Sequence, residues 1–517
     1  MKNLFKILPI LFWGVQQYVS AQPTIVWENT FGGTWTDYAG DILVADDGNY
    51  FALCNPASPD GDFTDGHGNQ DIWLLKMDPT GQVLWQKNYG GSANESASRI
   101  VPSGDGGYLI LGSTYSTDFD VSFNHGKSDV WLIKIDPDGA ILWQKTLGGS
   151  EFDDENSISR TNDGNFVITA YSKSTDFDVP ANNHGGGDLW VIKISTEGDI
   201  IWSKLYGGSD GDAGGTILQT SDQGYIISGS TSSSDGDVPS NQGGRDIWTL
   251  KIDSIGTIQW VSVRGGMDND YSSGIILTSD GGYLRFSYTA SINGTFAPNH
   301  GGYDAWVYKV DAAGEVQWDK FYGGSGWELM NSAFEMADGN YIFMGHAQST
   351  DGDLAGNTGS NAWFLCIDQN GNILWKKTYG GSQSDTFARV RQISPDKLLV
   401  MGTSGSTDGD VQSGNPNNGG DIWILQMSLV ATGVDNSLAS PFDLSVFPNP
   451  ASNYLEIRSE EPLEHAVYSI TATNGTELLR QALGSDHKID ISALPAGSYM
   501  LRLESGGKSG SKLIIKQ

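Results

Sequence analysis

Short apolar runs separated by Gly, Asp and Asn recur along most of the chain, as in Leu189-Trp190-Val191-Ile192-Lys193-Ile194 and Tyr225-Ile226-Ile227-Ser228-Gly229. Runs of that length, rich in β-branched and aromatic residues and bounded by turn residues, predict strands. Asp105-Gly106-Gly107-Tyr108, Asp163-Gly164-Asn165-Phe166 and Asp280-Gly281-Gly282-Tyr283 are hairpin turns, where Gly and Asn tolerate positive φ. A further turn, Asp136-Pro137-Asp138-Gly139, leads into Ile141-Leu142-Trp143-Gln144-Lys145, so one unit holds four short strands. No stretch of this region shows sustained helical periodicity.

The units repeat. Trp27, Trp85, Trp143, Trp202, Trp260, Trp318 and Trp375 are spaced by 57 to 59 residues. A second series, Trp73, Trp131, Trp190, Trp248, Trp306, Trp363 and Trp423, has Asp two places earlier in every case but Asn361. Four antiparallel strands in each of seven units predict an all-β fold, a seven-bladed β-propeller of four-stranded blades over residues 22–430. Eight residues after the first Gly of each Gly-Gly pair stand Gly40, Ser98, Asn156, Gly215, Ser273, Asn331 and Ala388, all small, as expected where inner strands converge on an axis. The first Trp series begins before any complete unit, which predicts that the strand around Ile25-Val26-Trp27 completes the blade holding Trp423 and removes exposed edges.

The ordered marks Gly-Gly-Ser, Asp-Gly-Gly-Tyr, Ser-Thr-Asp-Phe-Asp-Val, Asp-Val-Trp and Asp-Pro-Asp-Gly resemble the bacterial β-propeller repeat family abbreviated SBBP, over roughly residues 24–428. That resemblance implies a fold and not an activity.

The ends of the chain speak to export. Lys2 and Lys6, an apolar stretch from Ile7 to Val15, and Val19-Ser20-Ala21 form a signal-peptide pattern over residues 1–21, too short to span a bilayer comfortably. No other segment is a transmembrane candidate. After a polar linker at 431–442, residues 443–517 alternate short strands with Gly and Pro turns, which predicts a small C-terminal β-sandwich. Pro448-Asn449-Pro450, the Ala-Gly-Ser-Tyr element with Gly497 and Tyr499, and the terminal strand opened by Lys512 resemble the type A C-terminal sorting domain of the Bacteroidetes type IX secretion system. The resemblance implies passage through the periplasm, type IX secretion machinery as partner, and delivery to the cell surface or beyond.

Composition sets limits on partners. With 68 Gly, 17 Trp and a net charge of −32 over 517 residues, the chain would repel the phosphates of nucleic acid. Cys54 and Cys366 fall in different units, an arrangement that disfavours a disulfide.

Two acidic sets follow the repeat. Asp37, Glu95, Asp153, Asp212, Asp270, Glu328 and Asp385 occupy one equivalent position, and sevenfold recurrence argues for a structural duty as hydrogen-bond acceptors at the turn into the inner strand. The doublets Asp60 and Asp62, Asp118 and Asp120, Asp176 and Asp178, Asp235 and Asp237, Asp351 and Asp353, and Asp408 and Asp410 could offer hard oxygen ligands to calcium, although Asp-Gly turns also form without metal. The fifth unit, with Asn293-Gly294-Thr295, lacks the pair. His67, His125, His184 and His300 recur once per unit, too dispersed for a compact zinc site.

Departures from the repeat are the candidate ligand-binding residues: Trp35 and Trp327 after Gly-Gly pairs, and Tyr38 and Tyr271 just beyond them. Aromatics in propeller-face loops stack on sugar rings or anchor proteins; packing between blades would use them equally well. The sequence therefore points to an exported, non-catalytic propeller that binds a glycan or protein. A secreted hydrolase or lyase with its site at the channel mouth and a structural surface or matrix protein are the alternatives.

Overall fold

The computed structural model describes residues 22–63, 66–293, 299–414, 419–429 and 445–516, the last apart from 448, 450, 460–462, 464–465, 473–476, 485, 496 and 506–507. The signal-peptide pattern at 1–21 and the linker at 431–442 lie outside the described residues. The chain divides into two compact units, Met1–Val430 and Ala431–Gln517.

The first unit holds seven four-stranded antiparallel sheets. Blade I is Tyr38–Val44, Tyr50–Asn55, Ile72–Met77 and Val83–Tyr89. Blades II to VI repeat that meander, starting with inner strands Glu95–Pro102, Asp153–Arg160, Asp212–Gln219, Asp270–Leu277 and Glu328–Glu335. Blade VII takes Asp385–Ser394, Lys397–Ser404 and Asp421–Ser428 from late in the chain and its outermost strand, Thr24–Phe31, from early in it. Each inner strand contacts the next around the ring, and that of blade VII returns to that of blade I. The fold is a closed seven-bladed propeller.

Burial explains the composition of each strand. Third strands such as Asp129–Ile135 are buried throughout, sandwiched between neighbouring sheets, and therefore read as continuous apolar runs. Their tryptophans, from Trp73 to Trp423, are fully buried. A separate apolar cluster fills each interface between adjacent blades; Phe51, Leu53 and Leu74 of blade I, for instance, pack on Ile110, Trp131 and Ile133 of blade II.

Outer strands are more exposed, and their tryptophans serve as covers across those interfaces. The ring of Trp85 lies over Gly139 in the last turn of blade II, while Tyr89 Oη donates to the Gly139 carbonyl at 2.8 Å. Gly139 has φ +77° and no room for a Cβ beneath that ring, so both demands select glycine. Tyr322 repeats the bond to Gly371 at 2.7 Å. At the ring closure Trp27 Nε1 donates to the Pro79 carbonyl at 3.1 Å.

The small residues eight places after each Gly-Gly pair have a reason beyond the crowded axis. Each falls where the register between the first and second strands slips, as between Ala39 and Asp41 or Ala97 and Arg99. They are β-bulge residues, whose unpaired backbone bends the innermost strand.

The second unit has a three-stranded sheet (Ser445–Phe447, Tyr454–Arg458, Lys488–Asp490) and a four-stranded sheet (Val467–Ala472, Glu477–Ala482, Gly497–Ser505, Lys508–Lys516). Leu455, Ile457 and Ile489 of the first share one core with Ile470, Leu501 and Ile514 of the second, which makes it a sandwich.

Candidate functional site

All seven Gly-Gly turns lead into inner strands, so they gather on one face of the propeller together with the second-to-third-strand loops that bind them. There the repeated carboxylates form a backbone-binding lattice. Glu95 Oε2 accepts the Gly91 amide at 2.7 Å, and Asp153 Oδ2 accepts that of Gly149 at the same distance. These residues are almost wholly buried, and burial raises the pKa of Asp153 despite hydrogen bonds from Ser172, Ser174 and Gly149.

The doublets bind the same turns from outside. Asp118 Oδ1 accepts the Ser92 amide at 2.8 Å and Asp120 Oδ2 that of Gly90 at 3.2 Å. The Ser amide binds Asp176, Asp235, Asp351 and Asp408 at 2.7–2.8 Å. Gly amides reach Asp178, Asp237, Asp353 and Asp410 at 3.2–3.4 Å. In blade I Asp60 and Asp62 bind Thr34 and Gly32 likewise. Blade V keeps the first of the two bonds through Asn293, which accepts the Met267 amide at 3.1 Å. Among the described residues no group of three or more His, Cys, Asp or Glu side chains is placed to share a metal ion.

The histidines are part of this scaffold. Nδ1 of His125, His184 and His300 lies 2.7–2.8 Å from Asp129, Asp188 and Asp304, the buried acid two places before the core tryptophan. Cys54 and Cys366 are buried in the core and neither is in a disulfide.

The aromatic departures divide into two places. Trp35 and Tyr38 lie on blade I, 59% and 55% exposed. Tyr271 and Trp327 belong instead to one cluster across blades IV to VI. Tyr271 stacks on Tyr288 with ring centroids 5.1 Å apart, both approach Tyr303, and Tyr303 meets Trp327 edge-on at 5.5 Å. The Arg245 guanidinium sits 5.7 Å from the Tyr271 ring. Trp327 is held by a backbone bridge to Tyr303, yet 52% of it faces solvent. Burial first, then the neighbouring Tyr271, pushes the phenols of Tyr288 and Tyr303 above their ordinary range, so both keep their protons at neutral pH. Tyr288 and Tyr303 read in sequence as ordinary strand and loop residues, and only the fold joins them to Trp327.

A second group of departures lies on the inner strands. Asp41, Arg99, Glu155, Arg389 and Arg391 occupy inner-strand positions that are small, apolar or hydroxylated in the other blades. Aligning the seven copies of the inner strand exposes all five. Blades VII, I and II are consecutive, and Asp41, Arg99, Arg389 and Arg391 line one axial cavity of about 240 Å³; Glu155 of blade III lies outside that lining, in a separate pocket with Ser96 and Ser113.

In the second unit Gly497 opens a strand paired with Lys516, Tyr499 is 6% exposed with its hydroxyl donating to Pro495, and Lys512 is exposed opposite Leu501. Asn449 is exposed, whereas Pro448 and Pro450 lie outside the described residues.

Residues 445–517 match the family described as the secretion system C-terminal sorting domain. The chain carries a type IX sorting domain and is exported by that route to the cell surface or beyond. Over 432 residues it is 23% identical to the regulatory protein FlaEY of Caulobacter vibrioides, covering 74% of this chain. The chain spans 44% of that relative's length. The WD40 domain of Neurospora crassa Pan2 superposes with a TM-score of 0.45 at 9% identity, covering 80% of this chain and 97% of that one. The aldose sugar dehydrogenase of Streptomyces coelicolor, in its PQQ-bound form, gives 0.36 at 12% identity over 79% and 98%. No helix among the described residues is long and apolar enough to cross a membrane.

Proposed function

We propose that this is a non-catalytic binding propeller of the SBBP repeat type, whose Gly-Gly face holds a neutral glycan at the Tyr271, Tyr288, Tyr303 and Trp327 cluster. One observation carries the reading: Trp327 offers half of its surface to solvent while its backbone is pinned to Tyr303. A rigid, exposed indole beside protonated phenols suits a sugar, because the ring face stacks on C–H groups and the edges hydrogen-bond hydroxyls. The net charge of −32 disfavours acidic polymers as long-range partners. The lattice of carboxylate-bound turns supports the reading too, since it fixes the loops before any ligand arrives.

The test is retention of the full chain on a panel of immobilised neutral and acidic polysaccharides, alongside Trp327→Ala and Trp35→Ala. Retention on a neutral glycan that falls about tenfold or more in Trp327→Ala is expected, from the worth of one base-like or sugar-like aromatic stack. Equal retention of wild type and Trp327→Ala, or binding to a protein partner alone, overturns it.

A further inference from the structure

The axial cavity holds more positive charge than its own side chains neutralise. Arg99, Arg389 and Arg391 converge on it from blades II and VII. Each turns one guanidinium nitrogen back on the chain: their Nη1 atoms donate to the carbonyls of Ser98, Ala388 and Val390 at 2.8, 2.9 and 3.1 Å. Asp41 is the carboxylate beside them, and its capacity is already shared. Its Oδ1 accepts Arg391 Nη2 at 2.8 Å and the Ile42 amide at 2.9 Å, while Oδ2 accepts the Ile100 amide at 3.2 Å. Arg389 Nε stands 4.0 Å from the same Oδ1, buried and without a hydrogen-bond partner.

Glu155, the other nearby acid, does little to restore balance. Burial raises its pKa to about 7, so it is only partly ionised at neutral pH. Arg389 is correspondingly pushed down to about 9, by burial first and then by Arg99. Guanidinium charge beyond what Asp41 neutralises is costly where it is partly withdrawn from solvent, the Arg389 and Arg391 side chains being 22% and 36% exposed, and a protein with a net charge of −32 has concentrated it in one place on its axis. Ser157, Ser159, Ser273 and Asn331 supply neutral hydrogen-bonding groups around the same space.

We propose that this cavity is a binding site for a compact oxyanion, a carboxylate, sulfate or phosphate group, held by the guanidinium groups of Arg99, Arg389 and Arg391. Planar guanidinium forks match such groups in geometry as well as charge. A volume of about 240 Å³ lies below that of most drug-sized ligand sites, so the ligand is a small molecule or one acidic substituent rather than a polymer segment. The site is separate from the aromatic cluster and does not depend on it.

The test is thermal unfolding of the full chain titrated with sodium phosphate, sulfate, citrate or glucuronate, each against sodium chloride at matched ionic strength. The proposal expects a saturable rise in Tm with at least one oxyanion, by the linkage of binding to stability. Preference for phosphate and sulfate identifies a tetrahedral group, and preference for citrate or glucuronate a carboxylate. Arg389→Gln is expected to weaken that affinity by roughly tenfold or more, the worth of a charge-assisted hydrogen bond. Arg99→Gln, in another blade, serves if the first variant does not fold. No saturable rise with any of the four anions, or unchanged affinity in the variants, overturns the proposal.

Discussion

The carboxylates of Asp246 and Asp270 meet around Gly265: a Cβ there would lie 1.9 Å from Asp246 Oδ1 and 2.7 Å from Asp270 Oδ2. Burial, with Asp270 adding to it, raises the Asp246 pKa from 3.8 to about 6. Blades II, III and V place a histidine ring beside the equivalent aspartate, but blade IV has Gln242, which gives Asp246 only its backbone amide. A raised carboxyl pKa means that the folded state binds the proton more tightly than the unfolded chain. The associated stability is fully present below about pH 4 and is lost as pH rises through 6. Asp246→Asn, the amide that Asn361 already supplies in blade VI, should therefore stabilise the protein at pH 7 by up to about 3 kcal/mol, less where water screens the carboxyl. Urea unfolding at pH 4 and pH 7 checks this: the gain should appear at pH 7 and vanish at pH 4.

The same crowding makes the first glycine of each pair irreplaceable. At Gly90 a Cβ would fall 2.1 Å from Asp71 Oδ1 and 2.9 Å from Glu95 Oε2. Gly90→Ala should cost about 1–3 kcal/mol in chemical unfolding, as overpacking does. Gly106→Ala offers the contrast, since its Cβ would meet nothing within 4 Å and only its φ of +93° opposes the change.

Phe119 and Phe177 hold φ of 53°, at the centre of doublets where other blades have Gly61, Gly236, Gly352 and Gly409. Their rings are 67% and 69% exposed and meet the rings of His67 and His125 at 4.8 and 5.2 Å, a partial contact that offsets only part of the cost of the left-handed backbone. Replacing either by Gly should raise stability by roughly 1 kcal/mol. Thermal unfolding of the two single variants and the double variant would show it, with additive gains.

Calcium should not change stability. One oxygen of each doublet carboxylate, as in Asp118 and Asp120, already accepts a turn amide, and exposed Asp118 is held below its usual pKa by the Ser92 amide. Melting in excess EDTA and in millimolar calcium should give one Tm; a saturable rise would show that the ion displaces those amides.

The architecture was legible in the sequence because every blade repeats the same marks, so one misread turn is corrected by six others. Seven carboxylates at one position announced a structural role, and the amide bonds of Glu95 and Asp153 are that role. The bulge at Ser98 was harder to see, because smallness at a channel and smallness at a bulge leave the same trace in sequence. The doublets were ambiguous for a related reason: a carboxylate that accepts an amide and one that ligates calcium occupy similar loops. Tyr271 and Trp327 stood out singly, but their association depends on Tyr288 and Tyr303, whose positions follow from strand pairing across the blade. Arg99, Arg389 and Arg391 were hidden for the opposite reason. They are common residues whose distance in sequence conceals a shared side of the ring.

Binding without turnover is the centre of this account, and the chemical fate of a retained glycan tests it most directly. The polysaccharide that binds the full chain should be incubated with it in large excess, and its length distribution and reducing ends measured over many hours. An unchanged distribution is predicted. Progressive shortening that stops in Glu155→Gln would contradict it and would make Glu155, with its pKa of about 7, a catalytic acid.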